Sequence, residues 1–134
     1  MSNLDTAFKH LESADVAMDQ AKSALASNDL DRFGFFVETS SRHSLRALVL
    51  LSGIEAPAED VDGLKRQCGA AKVSLTPTLD PDDEQRLLDF DAHAPRQPPA
   101  RDDFLLARQR LREAMQHRRA AGAKLAGAMR SALG

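Results

Sequence analysis

The stretch SSRHSLRALVLLSG, Ser40 to Gly53, sets His43 between Arg42 and Arg46 and directly before an apolar run. A histidine in that setting has three uses: it accepts a phosphoryl group, it moves a proton in nuclease chemistry, or it flanks a packed core. Other chemistry is sparse. The chain carries 4 His and 1 Cys. Cys68 has no neighbouring His or second Cys to complete a metal site or a nucleophilic pair, so it reads as a small core residue. No Gly-rich phosphate loop, His/Cys/Asp metal cluster or Ser-His-Asp arrangement with supporting local motifs is visible in the sequence. The acids of EAPAEDVD and DPDDE lack the ligand spacing of a calcium loop and read as solvated caps. Neither a metal nor a cofactor is expected.

At 134 residues the chain fits one domain, 1–134, long enough to bury most of its unfolded surface. With 43% hydrophobic and 28% charged residues it has the composition of a soluble globular protein. No uninterrupted apolar run approaches the roughly 18 residues of a membrane span, and MSNLDTAFKH lacks the basic and apolar regions of a secretory signal. A single cysteine excludes an intrachain disulfide framework, so a reducing, cytoplasmic location is expected. Net charge is only -2, yet residues 1–100 hold 10 Lys+Arg against 17 Asp+Glu while residues 101–134 hold 8 against 3. The basic last segment either lies against the acidic body or offers a contact surface for RNA phosphates or an acidic partner. With Trp and Tyr absent, base stacking on aromatic platforms has little support.

The elements that must position these groups are all helical, since apolar residues recur at helical spacing and no run alternates with period two. A first helix is predicted from about Leu4 to Ala26, with Phe8, Leu11, Ala14, Met18, Ala21 and Leu25 on its core stripe. Asp29 caps a second, Leu30 to Leu51, which ends at Gly53. Phe33, Phe36, Val37, Ser40, Ser44, Ala47, Leu48 and Leu51 form its core face, the two serines allowing close approach. Phe35, Glu38, Arg42, Arg46 and Val49 fall opposite, either solvated or facing a second partner. A shorter helix is expected within Val61–Val73, a fourth from Asp80, with Pro81 in its first turn, to about His93, and a long basic one from Asp102 to Ala132. A Pro-rich loop at 94–101 precedes the last. The fold class is all-α, an up-and-down bundle of four to five helices.

Taken in order, LESADVAMDQAKSAL at 11–25, SNDLDRFGFF at 27–36 and LRALVLLSGIEAP at 45–57 resemble the first helices of the HEPN domain, a helical domain commonly encoded beside a minimal nucleotidyltransferase. HAPRQPP at 93–99 supplies Arg96, Gln97 and Pro98 where that family tends to place Arg-Tyr-Pro. Thr39 and Arg42 stand where the family usually has glutamine and glutamate, and Glu59 and Asp60 replace a Thr-His pair. The resemblance implies a HEPN-like binding or regulatory module, a homodimer, with a nucleotidyltransferase partner or a nucleotide or RNA ligand. Arg42, Arg46 and Arg96 are its expected ligand contacts, with Arg86 and His93 beside them. A place in a toxin and antitoxin pair fits the same family.

Some members of that family resemble metal-independent ribonucleases marked by an Arg followed, after four to six residues, by a His. The guanidinium holds the scissile phosphate and the imidazole moves the proton of the 2′-hydroxyl. Arg86 with His93, Arg110 with His117 and Arg112 with His117 fit the spacing. Seven residues rotate a helix by about 700°, so Arg86 and His93 face one way and form the expected catalytic pair if the chain is an enzyme. A third reading comes from HSLRALVLLSG, which in part resembles the phosphoacceptor segment of a histidine phosphotransfer domain, with His43 as acceptor, Arg46 for the usual Lys and Ala47 for the usual Gly.

Overall fold

Four short polar side chains start four of the helices. The computed structural model describes residues 2–93 and 100–133, all of whose regular structure is helical: α1 (Asn3–Ala26), α2 (Leu30–Leu51), α3 (Val61–Ala70), α4 (Pro81–Asp91) and α5 (Ala100–Leu133). The Ser2 hydroxyl accepts the Asp5 N–H at 3.2 Å at the head of α1. Carboxylates of Asp29, Asp60 and Asp80 accept the N–H groups of Arg32, Gly63 and Asp83 at 3.0, 3.0 and 2.9 Å. Each cap satisfies an amide that the helix itself leaves open. Asn28 after α1, Gly53 after α2 and Lys72 after α3 take φ values of 57°, 87° and 59°, the left-handed turn that stops a helix. The Pro-rich loop expected at 94–101 falls largely outside the described residues, and α5 is already helical at Ala100.

α1 packs along α2 through a face rotated from the expected one: Leu11, Ala14 and Ala21 are buried as expected, Phe8 is not. The buried residues of α1 are Ala7, Leu11, Ala14, Ala17, Ala21 and Ala24, whereas Phe8 is 51% exposed. Five alanines form a ridge that lets the two backbones approach closely, and the bulkier Met18 and Leu25 are displaced to its flank, half-buried. On α2 the serine positions behave as expected: Ser40 and Ser44 are buried, and Ser41 with them. Val49, expected on the polar side, is fully buried because α3 and the loop before it cover that side with Ile54, Val61, Leu64 and Cys68.

The core has two halves. At one end Phe33, Phe90 and Phe104 stack in series, ring centroids 5.0 and 4.2 Å apart, among Leu79, Leu87, Leu111 and Met115. At the other, Leu11, Leu45, Leu48 and Val49 meet Leu64, Cys68 and Leu125. Each large side chain so buried contributes about 2 kcal/mol by removal from water. Residues 33–37 of α2 thus share a half with residues 104–115 of α5, and 45–49 with 121–125, so α5 runs parallel to α2 and α1 antiparallel to both. α3 and α4 carry the chain back between them. The molecule is an all-α helical bundle, and among the described residues no helix is long and apolar enough to cross a membrane.

Candidate functional site

The residues singled out by sequence divide between two places. Arg86 and His93, both exposed, line one groove of about 260 Å³ between α1 and α4. Met18 and Leu25 from α1, Phe33 from α2 and Phe90 from α4 form its apolar floor, and Lys22 joins the two bases at its rim with Asp19 and Asp89. His93, just past the end of α4, donates from Nδ1 to the Asp89 carbonyl at 3.1 Å, which leaves Nε2 as the nitrogen able to accept a proton.

Arg86 also reaches a larger neighbouring cleft, about 670 Å³, walled by α1, the Pro77–Asp83 segment and α5. The other arginines there are engaged: Arg118 with Asp15 at 2.8 Å, and Arg119 with Asp80 at 3.0 Å and with the Thr78 carbonyl at 3.2 Å. Asp83 is held above its ordinary pKa, by burial first and by Asp80 second, against the pull of Arg86 and Arg119. Arg86 itself makes no ion pair among the described residues, so its charge is available to a ligand. Arg96 lies outside the described residues.

Arg42 and Arg46 are elsewhere. Both are half-buried on α2 around His43, and Arg46 donates from Nη2 to the Glu59 carbonyl at 3.1 Å while Arg42 sits 3.8 Å from the Glu38 carboxylate. His43 does more than border the core: its Nδ1 meets Nδ1 of His10 on α1 at 2.9 Å. Burial lowers the pKa of both rings, Arg46 lowers both further, and His43 also feels His10 and Arg42. From His10 to Met18, the nearest groove residue of α1, is eight residues, or about 12 Å of helix rise. Arg42 and Arg46 on one side and the Arg86–His93 pair on the other are therefore two sites.

His117, the partner in both alternative Arg–His pairs, is only 3% exposed. Its Nδ1 shares a hydrogen bond with the buried Ser41 hydroxyl, and burial, reinforced by Lys65 and opposed by Glu113, pushes its pKa down to about 4. A sealed, neutral imidazole does not reach a substrate, so Arg110 and Arg112 have no catalytic partner in it. Of the three spacings only Arg86 with His93 is open to solvent.

Two associations were not read from sequence. The His10–His43 contact was findable: counting outward from the Ser27–Asp29 turn, the two stand 17 and 14 residues away on antiparallel helices, within one turn of each other. Ser41 with His117 was not, because it depends on how α5 docks beside α2. Among the described residues no group of three or more His, Cys, Asp or Glu is placed to hold a metal ion. Comparison with protein-family models, curated proteins and solved structures gave no match.

Proposed function

We propose that the chain is a HEPN-like binding and regulatory module whose α1–α4 groove takes a nucleotide or the end of an RNA strand. One observation carries this reading: Arg86 and His93 share a groove with an apolar floor, and Arg86 makes no ion pair among the described residues. A base fits against Met18, Leu25 and Phe33, and a phosphate is met by the guanidinium of Arg86, which binds oxyanions through two parallel N–H groups. Asp19 and Asp89 offer acceptors to sugar hydroxyls. The volume is at the small end for ligand sites, which suits one nucleotide rather than a dinucleotide. A nucleotidyltransferase partner and a homodimer belong to the same proposal, and Phe35, 62% exposed near the start of α2, offers an apolar contact to either.

The test is calorimetric titration of the protein with adenosine and guanosine monophosphates and with a short 5′-phosphorylated RNA. Replacing Arg86 and His93 by alanine together, or Arg86 and Arg96 together, is expected to weaken binding at least tenfold, about 1.4 kcal/mol. Superimposable curves for wild type and variants would sink the proposal. A second reading, metal-independent ribonuclease, draws on Nε2 of His93, which the Nδ1 bond leaves as the accepting nitrogen, in the groove that Arg86 also lines; RNA cleavage in EDTA that vanishes in His93→Ala would favour it. The phosphotransfer reading has less support, since His43 is half-buried with one ring nitrogen already bonded to His10.

A further inference from the structure

We propose that His10, His43, Arg42 and Arg46 form a second binding patch, for a tetrahedral oxyanion such as sulfate or a phosphate ester, and that the anion is taken up together with one proton.

Two ring nitrogens 2.9 Å apart require that one carries hydrogen and the other does not. In the neutral pair the donor ring therefore has a bare Nε2, and the acceptor ring has Nε2–H. One added proton goes onto that bare Nε2 without touching the Nδ1–H···Nδ1 bridge. The product is a bridged imidazolium and imidazole with an Nε2–H donor on each ring and one positive charge. A second proton has only the bridging lone pair to occupy and would break the contact between α1 and α2.

What surrounds the pair sets its preference. Arg42 and Arg46 are one helical turn apart and bracket His43 on α2. The Glu59 group that anchors Arg46 is a backbone carbonyl, which positions the guanidinium without cancelling its charge. Arg42 faces Glu38 only at 3.8 Å, with more than half of the Glu38 side chain in solvent. The charges bearing on the rings are Arg46 on both, and His10 and Arg42 on His43, with no carboxylate among them. Here an added proton is unfavourable until an anion arrives; with Nδ1 facing Nδ1 and the ring centroids 5.2 Å apart, the two Nε2 atoms lie at opposite ends of the pair, so the anion is met by the two guanidiniums and by the Nε2–H of His43, the ring they bracket, while His10 holds that ring through the bridge.

A cation is the rival occupant, since nitrogens at this separation suit two bonds of about 2.0–2.1 Å to a transition metal. The two guanidiniums oppose it, and no third protein ligand stands nearby among the described residues. The patch does not depend on the groove reading, being about 12 Å further along α1.

Sulfate is the probe of choice, because its charge is constant from pH 5 to 8. It is titrated calorimetrically into the full chain in EDTA at fixed ionic strength. Affinity is expected to rise about fivefold or more from pH 7.5 to 6.0 through the linked proton. His10→Gln and His43→Gln should each reduce that pH dependence, and Arg46→Gln should weaken binding at every pH. Circular dichroism confirms that the variants are folded, and in the wild type the His10 and His43 ring proton signals should titrate at higher pH with sulfate than with chloride. Affinity independent of pH, or unchanged in both glutamine variants, overturns the proposal. So does nickel or zinc binding in EDTA-free buffer that His10→Gln abolishes while sulfate gives no response, which would assign the pair to a cation.

Discussion

Lowering the pH should destabilise this protein through one buried residue, His117. Its pKa is about 4 in the folded chain, against an ordinary value of 6.5 when exposed. Between these values the unfolded chain binds a proton that the folded chain refuses, so stability is full above pH 6.5 and falls as the pH drops towards 4. With 1.36 kcal/mol per pKa unit, the loss from this group reaches about 2 kcal/mol at pH 5 and levels off near 3 kcal/mol below pH 4. No discount for solvent screening is needed, because the ring is 3% exposed. The assay is urea unfolding followed by circular dichroism, since the chain has neither Trp nor Tyr to report by fluorescence. His117→Gln keeps a polar group beside Ser41 but cannot titrate. The stability difference between wild type and variant should shrink by about 2 kcal/mol from pH 7.5 to 5, with unchanged m-values. Contributions from His10, His43 and the carboxylates are common to both proteins and cancel in that difference. Parallel profiles would refute the reasoning and place the His117 imidazole in contact with water.

Three further expectations concern stability. Ser44 has a buried hydroxyl with no hydrogen-bond partner among the described residues, so Ser44→Ala should raise the urea midpoint by the equivalent of about 1 kcal/mol, and a lowered midpoint would show that the hydroxyl is satisfied. A Cβ on Gly63 would lie 2.5 Å from the Asp60 carboxylate and 2.7 Å from Ala58 Cβ, so Gly63→Ala should cost about 1–3 kcal/mol, read as a lower midpoint, by displacing the α3 cap. Asp80 both caps α4 and binds Arg119 at 3.0 Å, and Asp80→Ala should cost about 2 kcal/mol in the same assay, more than Asp29→Ala, where only a cap is lost.

The helices were legible because their ends are written in short-range chemistry. Asp29, Asp80, Pro81 and Gly53 mark boundaries through interactions reaching no more than four residues, and α2 begins and ends where they place it. The face of α1 was not, because a periodic stripe beginning at Phe8 competes with one of alanines a few tens of degrees away. Periodicity favours the greasier stripe, while packing against the small serines of α2 favours the narrower one. Val49 was misplaced for a related reason: a helix sandwiched between neighbours buries more than one face. For the site, spacing was enough to bring Arg86 and His93 to one groove, since only α4 and the turn that ends it separate them. It was not enough to judge the Arg110 and Arg112 pairs, whose histidine is shut in by α2.

The alanine ridge has a consequence for recognising related chains. An interface lined with Leu or Ile can exchange one shape for another of similar volume, so its sequence drifts freely. Positions 7, 14, 17, 21 and 24 have no such latitude, since even one added methylene at any of them would wedge α1 from α2. A chain that keeps this hairpin must keep side chains of alanine size there, at intervals of seven, three, four and three. That spacing is a fingerprint of steric exclusion, and it can identify a relative even where every charged and aromatic residue has changed.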